Sequence, residues 1–425
     1  MTAKNVLMVL STVLVFGFAP SASAEKHEQP DFIKALIGGK PDLFLRFRWE
    51  AAKIDGLKGS NAVTLRSDLG YMTGTYHGFS LYAQMENVVA VNDKAYFDGI
   101  APNTKGKTPI ADPEATRVTQ GFLRWASSGL ADDSWFAKSG SVVTGGRQRI
   151  VYDNARFIGD VVWRQNQQTY DGGRVDTTFG IEDLKASYVY VSQVNRIFAN
   201  QGAPGSPTKN FDSQSSFLHM HYSGWGLAKI SVFAYLLDFD NSPANSSDSF
   251  GFRATGKQDI AGDLFVGYDL SYAYQKDAGN NPTDYHANYY NVEGTLGWKG
   301  FAALTLGYEV MTSDDGVAQF RTPLATAHKF NGWADAFLDN GGPNGLRDFY
   351  VGLAPQLPWG LKGRLIYHKF ESDVAGLDYG YEIDGVMTRK LWKNVTLLGK
   401  FAYYDGTSDG RADRYRVWME TSIKF

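Results

Sequence analysis

Residues that alternate in character from one position to the next recur along nearly the whole chain, starting with Leu43, Leu45, Phe47 and Trp49 interleaved with Phe44, Arg46, Arg48 and Glu50. Consecutive side chains of a strand point to opposite faces, so this run places two arginines and a glutamate on one side and apolar groups on the other. The same pattern suits a barrel wall between lipid and a wet lumen. Further along, Tyr290, Val292, Leu296 and Trp298 oppose Asn291, Glu293 and Thr295. Ala302, Leu304, Leu306, Tyr308 and Val310 then oppose Thr305 and Glu309. Only the stretch around Lys299 and Gly300 separates these two runs, which reads as a hairpin with a tight turn.

Such runs fall near 43–53, 61–73, 78–90, 117–127, 140–150, 173–180, 184–195, 216–224 and 226–238. A second half follows near 249–257, 261–276, 286–298, 301–313, 346–355, 360–371, 379–390, 395–405 and 413–425. The expected fold is all-β, a transmembrane antiparallel β-barrel of about 18 strands. Its connections alternate as such barrels require. If the first strand runs outward, short periplasmic turns lie at 74–77, 128–139, 181–183, 224–225, 258–260, 299–300, 356–359 and 391–394. The long external loops include 91–116, 151–172, 196–215 and 314–345.

The chain start reads as a signal peptide over 1–24: Lys4 supplies the charge, Val6 to Phe18 the apolar core, and Ala22-Ser23-Ala24 the small-residue cleavage site. A short periplasmic segment, 25–41, then leads into the outer-membrane barrel, 42–425. That segment is too short to form a plug, so a diffusion pathway is expected rather than energised uptake. The last run sets Tyr415, Val417, Met419, Thr421, Ile423 and Phe425 against Arg414, Arg416, Trp418, Glu420, Ser422 and Lys424. A strand ending on an aromatic residue resembles the terminal strand of bacterial outer-membrane barrels, which implies the barrel assembly machinery as a partner in biogenesis. Both termini then lie in the periplasm of a Gram-negative cell.

Composition narrows the function classes. With no cysteine, thiol catalysis and cysteine metal sites are excluded, and a net charge of −3 leaves no footprint for nucleic acid. No Gly-x-Ser-x-Gly elbow occurs and no Ser, His and acid grouping assembles, so an enzyme is not expected. No cofactor is implied. His219 and His221 fall two apart on one strand face, but no third ligand stands at readable spacing, so no metal is assigned.

Two segments resemble the alginate-export family of outer-membrane barrels. One runs Gly146-Arg-Gln-Arg-Ile-Val-Tyr-Asp-Asn-Ala-Arg-Phe-Ile-Gly159 and continues through Trp163-Arg-Gln-Asn166 to Gln168-Thr-Tyr-Asp171. The other runs from Thr326-Ala-His-Lys-Phe-Asn-Gly-Trp-Ala-Asp335 to Gly345-Leu-Arg-Asp-Phe-Tyr350. The resemblance implies an 18-stranded barrel and a pore lined by basic residues that attract a polyuronate chain. The inferred lumen faces carry Arg46, Arg48, Arg66, Arg124, Arg147, Arg149, Arg364, Arg414 and Arg416, but also Glu309, Asp348 and other acids in near balance. A porin conducting small anionic or polar solutes across outer-membrane lipid is therefore the first expectation. Secretion of an anionic exopolysaccharide such as alginate is the second, and a structural or adhesion barrel with an occluded lumen the third.

Within 18 residues stand Arg147, Arg149, Arg156 and Arg164, the candidate selectivity cluster. The loop that follows, with Trp163 and Asn166, is expected to fold inward and present guanidinium forks and amides to a carboxylate or sugar hydroxyl. The same arginines equally suit bracing of that loop against Asp153, Asp160 and lumen acids. In the second long loop Lys329, Asn331, Trp333 and Asp335 are candidates for sugar contact or for an ordered lid.

Overall fold

The computed structural model describes residues 31–130, 134–198 and 208–425. The signal-peptide reading over 1–24 lies outside these residues. In the first half the strands are β1 (Lys40–Ile54), β2 (Ser60–Met72), β3 (Phe79–Ala90), β4 (Ala115–Ala126), β5 (Val142–Gln148), β6 (Thr169–Thr177), β7 (Leu184–Asn195), β8 (Asn210–Tyr222) and β9 (Lys229–Leu237). In the second they are β10 (Ser247–Ala261), β11 (Leu264–Asp277), β12 (His286–Trp298), β13 (Ala302–Met311), β14 (Leu346–Pro355), β15 (Leu361–Glu371), β16 (Asp378–Trp392), β17 (Val395–Asp405) and β18 (Arg414–Lys424). They form one 18-stranded antiparallel sheet in which each strand pairs with its chain neighbour. The sheet closes where β1 pairs β18, from Phe44 opposite Lys424 to Ile54 opposite Arg414. Phe425 donates its N–H to the Leu43 carbonyl at 2.9 Å, which leaves no free edge at the seam.

The strand count and the order of short and long connections match the periodicity. Two strand starts differ by four residues or more, and the turn expected at 258–260 lies inside β10, which runs on to Ala261 and turns at Gly262 and Asp263. β6 begins at Thr169 rather than 173, because Tyr170 turns inward and its hydroxyl donates to the Gly159 carbonyl at 2.7 Å. β8 begins at Asn210 rather than 216, through a polar stretch whose composition reads as loop. There Phe211, Ser213 and Ser215 are buried inside, where they meet packed loops rather than water. Gly300 carries the β12–β13 turn at φ +76°, a conformation in which a side chain would clash with its own backbone.

Apolar side chains cover the outer wall: Leu304, Leu306 and Tyr308 on β13 are exposed, as are Leu296 and Trp298 on β12. Around the short-turn end Trp225, Trp298, Phe301, Trp359, Trp392 and Phe425 are exposed, and tyrosines such as Tyr274, Tyr308, Tyr403 and Tyr415 take over toward the long-loop end. Aromatic rings of this kind mark the two polar boundaries of a bilayer. No helix among the described residues is long and apolar enough to cross a membrane.

Two short helices flank the barrel, α1 (Asp31–Ile37) and α2 (Trp135–Lys138). Neither is foreseen by the alternation. Inside the barrel lies an aromatic cluster in which Phe157 packs on Phe233 at 4.9 Å, Tyr289 at 5.2 Å and Phe320 at 5.9 Å. Two of these rings come from loops, so the core is built by loops entering the lumen.

Leu306→Arg on the outward face is expected to cost about 2–4 kcal/mol of folding free energy in bilayers, and Thr305→Arg on the lumen face much less. Denaturant titration of vesicle-folded protein would measure both. Equal costs would contradict the assignment of faces.

Candidate functional site

β5 is only seven residues long, and past Gln148 the chain turns into the lumen instead of continuing the wall. The loop 149–168 is held there by the loop 312–345 through backbone pairs: Gly159 N–H to Leu324 O at 2.9 Å and Thr326 N–H to Ala155 O at 3.0 Å. Val161 sits at φ +51°, a conformation costly for a β-branched residue, and its N–H is fixed on Thr326 Oγ1 at 3.1 Å. A third loop, 91–114, adds Asp112, whose carboxylate accepts the Gln165 N–H at 2.8 Å. Nearby, Asn166 donates to the Pro113 carbonyl at 2.7 Å. Sequence reasoning assigned no role to this third loop, and its polar composition offers no signal of burial.

Charges from loops and wall neutralise one another. Arg164 reaches Glu50 at 3.2 Å and Asp335 at 2.7 Å. Arg416 reaches Glu50 at 2.9 Å. Arg48 pairs with Glu420 at 2.6 Å and lies over the Trp163 ring at 4.3 Å. Arg46 donates to the Val162 and Trp163 carbonyls at 2.9 and 3.2 Å, which pins the loop to β1. Arg66 pairs with Asp68 at 2.6 Å and Glu86 at 3.2 Å, and Arg117 with Glu86 at 3.1 Å. Arg156 reaches Glu309 at 2.8 Å and Asn331 at 3.0 Å. Asn331 in turn donates to Glu309 at 2.6 Å and Asp348 at 3.1 Å. Arg414 donates to the Asp335 carbonyl at 3.3 Å.

Lys400 and His328 form a centre that sequence spacing did not reveal. The Lys400 ammonium lies between the Trp163 ring at 4.1 Å and the Trp333 ring at 3.9 Å, and donates to His328 Nε2 at 2.8 Å. His328 stacks on Trp163 at 4.7 Å, and its Nδ1 donates to Asp335 at 2.6 Å. Burial pushes the His328 imidazole down to about 3, so it stays neutral, as accepting from Lys400 requires. Burial alone would raise the Asp335 carboxyl, but His328, Arg416 and Arg164 hold it well below the usual carboxylate range. The Trp333 and Ala334 N–H groups cap Asp384 at 3.0 Å and Glu382 at 2.6 Å. Gly332 makes that approach feasible: a Cβ there would stand 2.4 Å from the Glu382 carboxyl group.

Not every residue singled out from the sequence joins this centre. Arg147 shares the outward face of β5 with exposed Val143, where it pairs with Asp171 at 2.7 Å. The lumen placement expected for it is thus corrected: counting two residues at a time from Val143 through Gly145 turns Arg147 out of the pore. Arg149 faces inward, pairs with Asp160 and remains exposed. Arg124 is exposed close to the short-turn end of β4. Arg364 and Lys329 are exposed in a cavity of about 290 Å³, whose other lining includes Arg253, Asp269, Glu293, Phe330 and Trp333. His219 pairs with Asp153 at 3.0 Å and His221 with Ser231 at 3.0 Å, both beside a second cavity of about 470 Å³. Among the described residues no three His, Asp or Glu side chains converge as metal ligands.

Removing one partner from a buried ion network strands the others, so Asp335→Ala is expected to weaken docking of loop 312–345 by about 3–5 kcal/mol. Hydrogen exchange of the loop in vesicle-folded protein would register the change, and an unaltered exchange profile would contradict it. Acid should act in the same direction. An undocked His328 takes up a proton near its ordinary 6.5, whereas the docked ring does so only at about 3, so docking weakens as pH falls from 6.5 toward 3. Loop exchange is expected to be faster at pH 4.5 than at pH 7.5, with His328→Asn removing that part of the difference.

No protein-family model and no curated protein matches the chain. Solved structures do. Acinetobacter baumannii OccAB4 aligns with a TM-score of 0.69 at 13% identity over 91% of this chain and 98% of its own. Pseudomonas aeruginosa OccK1 (OpdK) aligns with a TM-score of 0.69 at 16% identity over 92% of this chain and 99% of its own, and a structure of OpdK with vanillate aligns equally. These findings overturn the likeness to alginate exporters. The two quoted segments are lumen loops with the strand ends that carry them, and their arginine, asparagine and tryptophan content follows from filling an 18-stranded barrel with paired charges and rings. The chain has the fold of outer-membrane porins of the Occ type.

Proposed function

We propose that the chain is an outer-membrane channel that passively conducts small anionic or polar solutes, with both termini on the periplasmic side. The observation that carries this reading is an uneven distribution of compensation inside the barrel. In the long-loop half Arg48, Arg66, Arg117, Arg156, Arg164 and Arg416 are buried and paired with carboxylates, so they hold loops and wall in place. Toward the short-turn end Arg124, Lys362 and Arg364 face the lumen and are exposed, and Arg149, at the start of the loop 149–168, is exposed although it pairs with Asp160. A water-filled channel with low-dielectric walls focuses the field of such cations and raises the local concentration of anions.

Within the arginine cluster the contact role falls to Arg149. Arg156 and Arg164 brace the loops, and Arg147 lies outside. Arg364 and Lys329 supply a second contact point, opposite Glu293 and Asp269, where a polar solute finds donors and acceptors together. OpdK, a barrel of the same fold, has been crystallised with vanillate, which carries a carboxylate. That precedent supports an anionic group on the solute.

In planar bilayers the protein is expected to give stable ion currents, with a reversal potential under a salt gradient that reports anion preference. Arg149→Ala combined with Arg364→Ala should move that potential toward cation preference. Silent membranes containing folded protein would remove the channel reading, and an unmoved potential would remove the assignment of these two residues.

A further inference from the structure

α1 lies outside the barrel. Its anchor is Tyr71, which shares the outward face of β2 with exposed Leu69. The Tyr71 hydroxyl donates to the Leu36 carbonyl at 2.8 Å and accepts the Gly39 N–H at 2.9 Å. Gly74, in the β2–β3 turn, donates its N–H to the Ala35 carbonyl at 2.8 Å. Phe32 meets Tyr76 edge to face at 5.6 Å. The helix is therefore fixed at the level of the short-turn aromatic ring, beside Tyr76 and Phe79.

Apart from the edge of Phe32, its apolar residues are not spent on that contact. Phe32, Ile33, Leu36 and Ile37 fall at helical spacing on one face and are 50%, 36%, 39% and 67% exposed. Lys34 and Asp31 occupy the other side and pair at 3.3 Å. In water such a face is costly, and the barrel wall immediately beside it exposes Tyr76 and Phe79 as well.

Resting on the membrane-barrel reading, we propose that α1 is an interfacial helix whose apolar face is seated in the headgroup and acyl boundary of the leaflet at the short-turn end. The occupant of this face is lipid, because the face continues the lipid-contacting belt through Tyr76 and Phe79 without a break. By this reading the helix fixes the depth at which the first strand enters the bilayer and shields the seam-side end of β1 and β2.

The absence of cysteine from the chain permits single-cysteine labelling. Ile33→Cys, Ile37→Cys, Lys34→Cys and, on the barrel wall, Leu306→Cys would each carry an environment-sensitive fluorophore in the full chain folded into phosphatidylethanolamine and phosphatidylglycerol vesicles. Lipids spin-labelled near the headgroup are expected to quench the Ile33 and Ile37 positions at least about twofold more than Lys34, which aqueous iodide should quench instead. Leu306 reports the barrel itself. If lipid quenches Leu306 but iodide quenches all three helix positions alike, the barrel reading stands and the interfacial helix is overturned. Helix positions shielded from both quenchers would likewise overturn it, assigning the face to a second copy if dilution with unlabelled protein restores iodide access and to another protein if it does not. A Leu306 label out of reach of lipid would overturn the membrane barrel and the helix assignment together.

Discussion

Glu50 stands on β1 one residue from the lipid face, beside the seam with β18, and its carboxylate is wholly buried. An isolated charge there would cost several kcal/mol in lost hydration, more than one strand pairing returns. Two guanidinium groups relieve it. Arg416 comes from the closing strand and Arg164 from a loop, so one carboxylate fastens the seam and the lumen filling together. Asp335 then accepts from Arg164 and lies 3.6 Å from Arg416, bringing the second loop into the same cluster. Barrel closure and loop docking are therefore coupled through shared charges, and neither loop can leave without exposing the other's partner.

This coupling changes the meaning of the arginines on the closing strands. Register sets Arg48 opposite Glu420 and Glu50 opposite Trp418, so acids alternate with Arg46, Arg48 and Arg416 along the lumen side of the seam. A continuous basic wall does not form there. Each guanidinium directs donors at carboxylates or loop carbonyls, as its planar fork favours.

The architecture was legible because period-two alternation is a local property and a barrel needs nothing else to define its strands. Where the alternation failed, the cause was also local. Asn210 to Ser215 reads as loop because its inward residues meet protein, and the sequence carries no mark of that neighbour. Arg147 was placed on the wrong face because β5 is short and glycine-rich, leaving few side chains to phase the count. The site was far less legible. Arg416 and Glu50 are 366 positions apart, and Arg164 and Asp335 are 171 apart. No periodicity reports which acid will meet which base. Bracing and solute contact, both open for the arginine cluster, separate only once burial is known.

Separation by burial also locates where discrimination can occur. Two cations sharing two carboxylates, as Arg164 and Arg416 share Glu50 and Asp335, present almost no net field to a passing solute. A cation exposed in the lumen with no carboxylate in direct contact keeps more of its field for a passing solute. Arg164 belongs to the first kind and Arg364 to the second. The long-loop half of the barrel thus contributes shape, through fixed loops and stacked rings, while the short-turn half contributes charge. In the proposed channel, selection by size and selection by sign would fall to different residues, so either could change in sequence without dismantling the other.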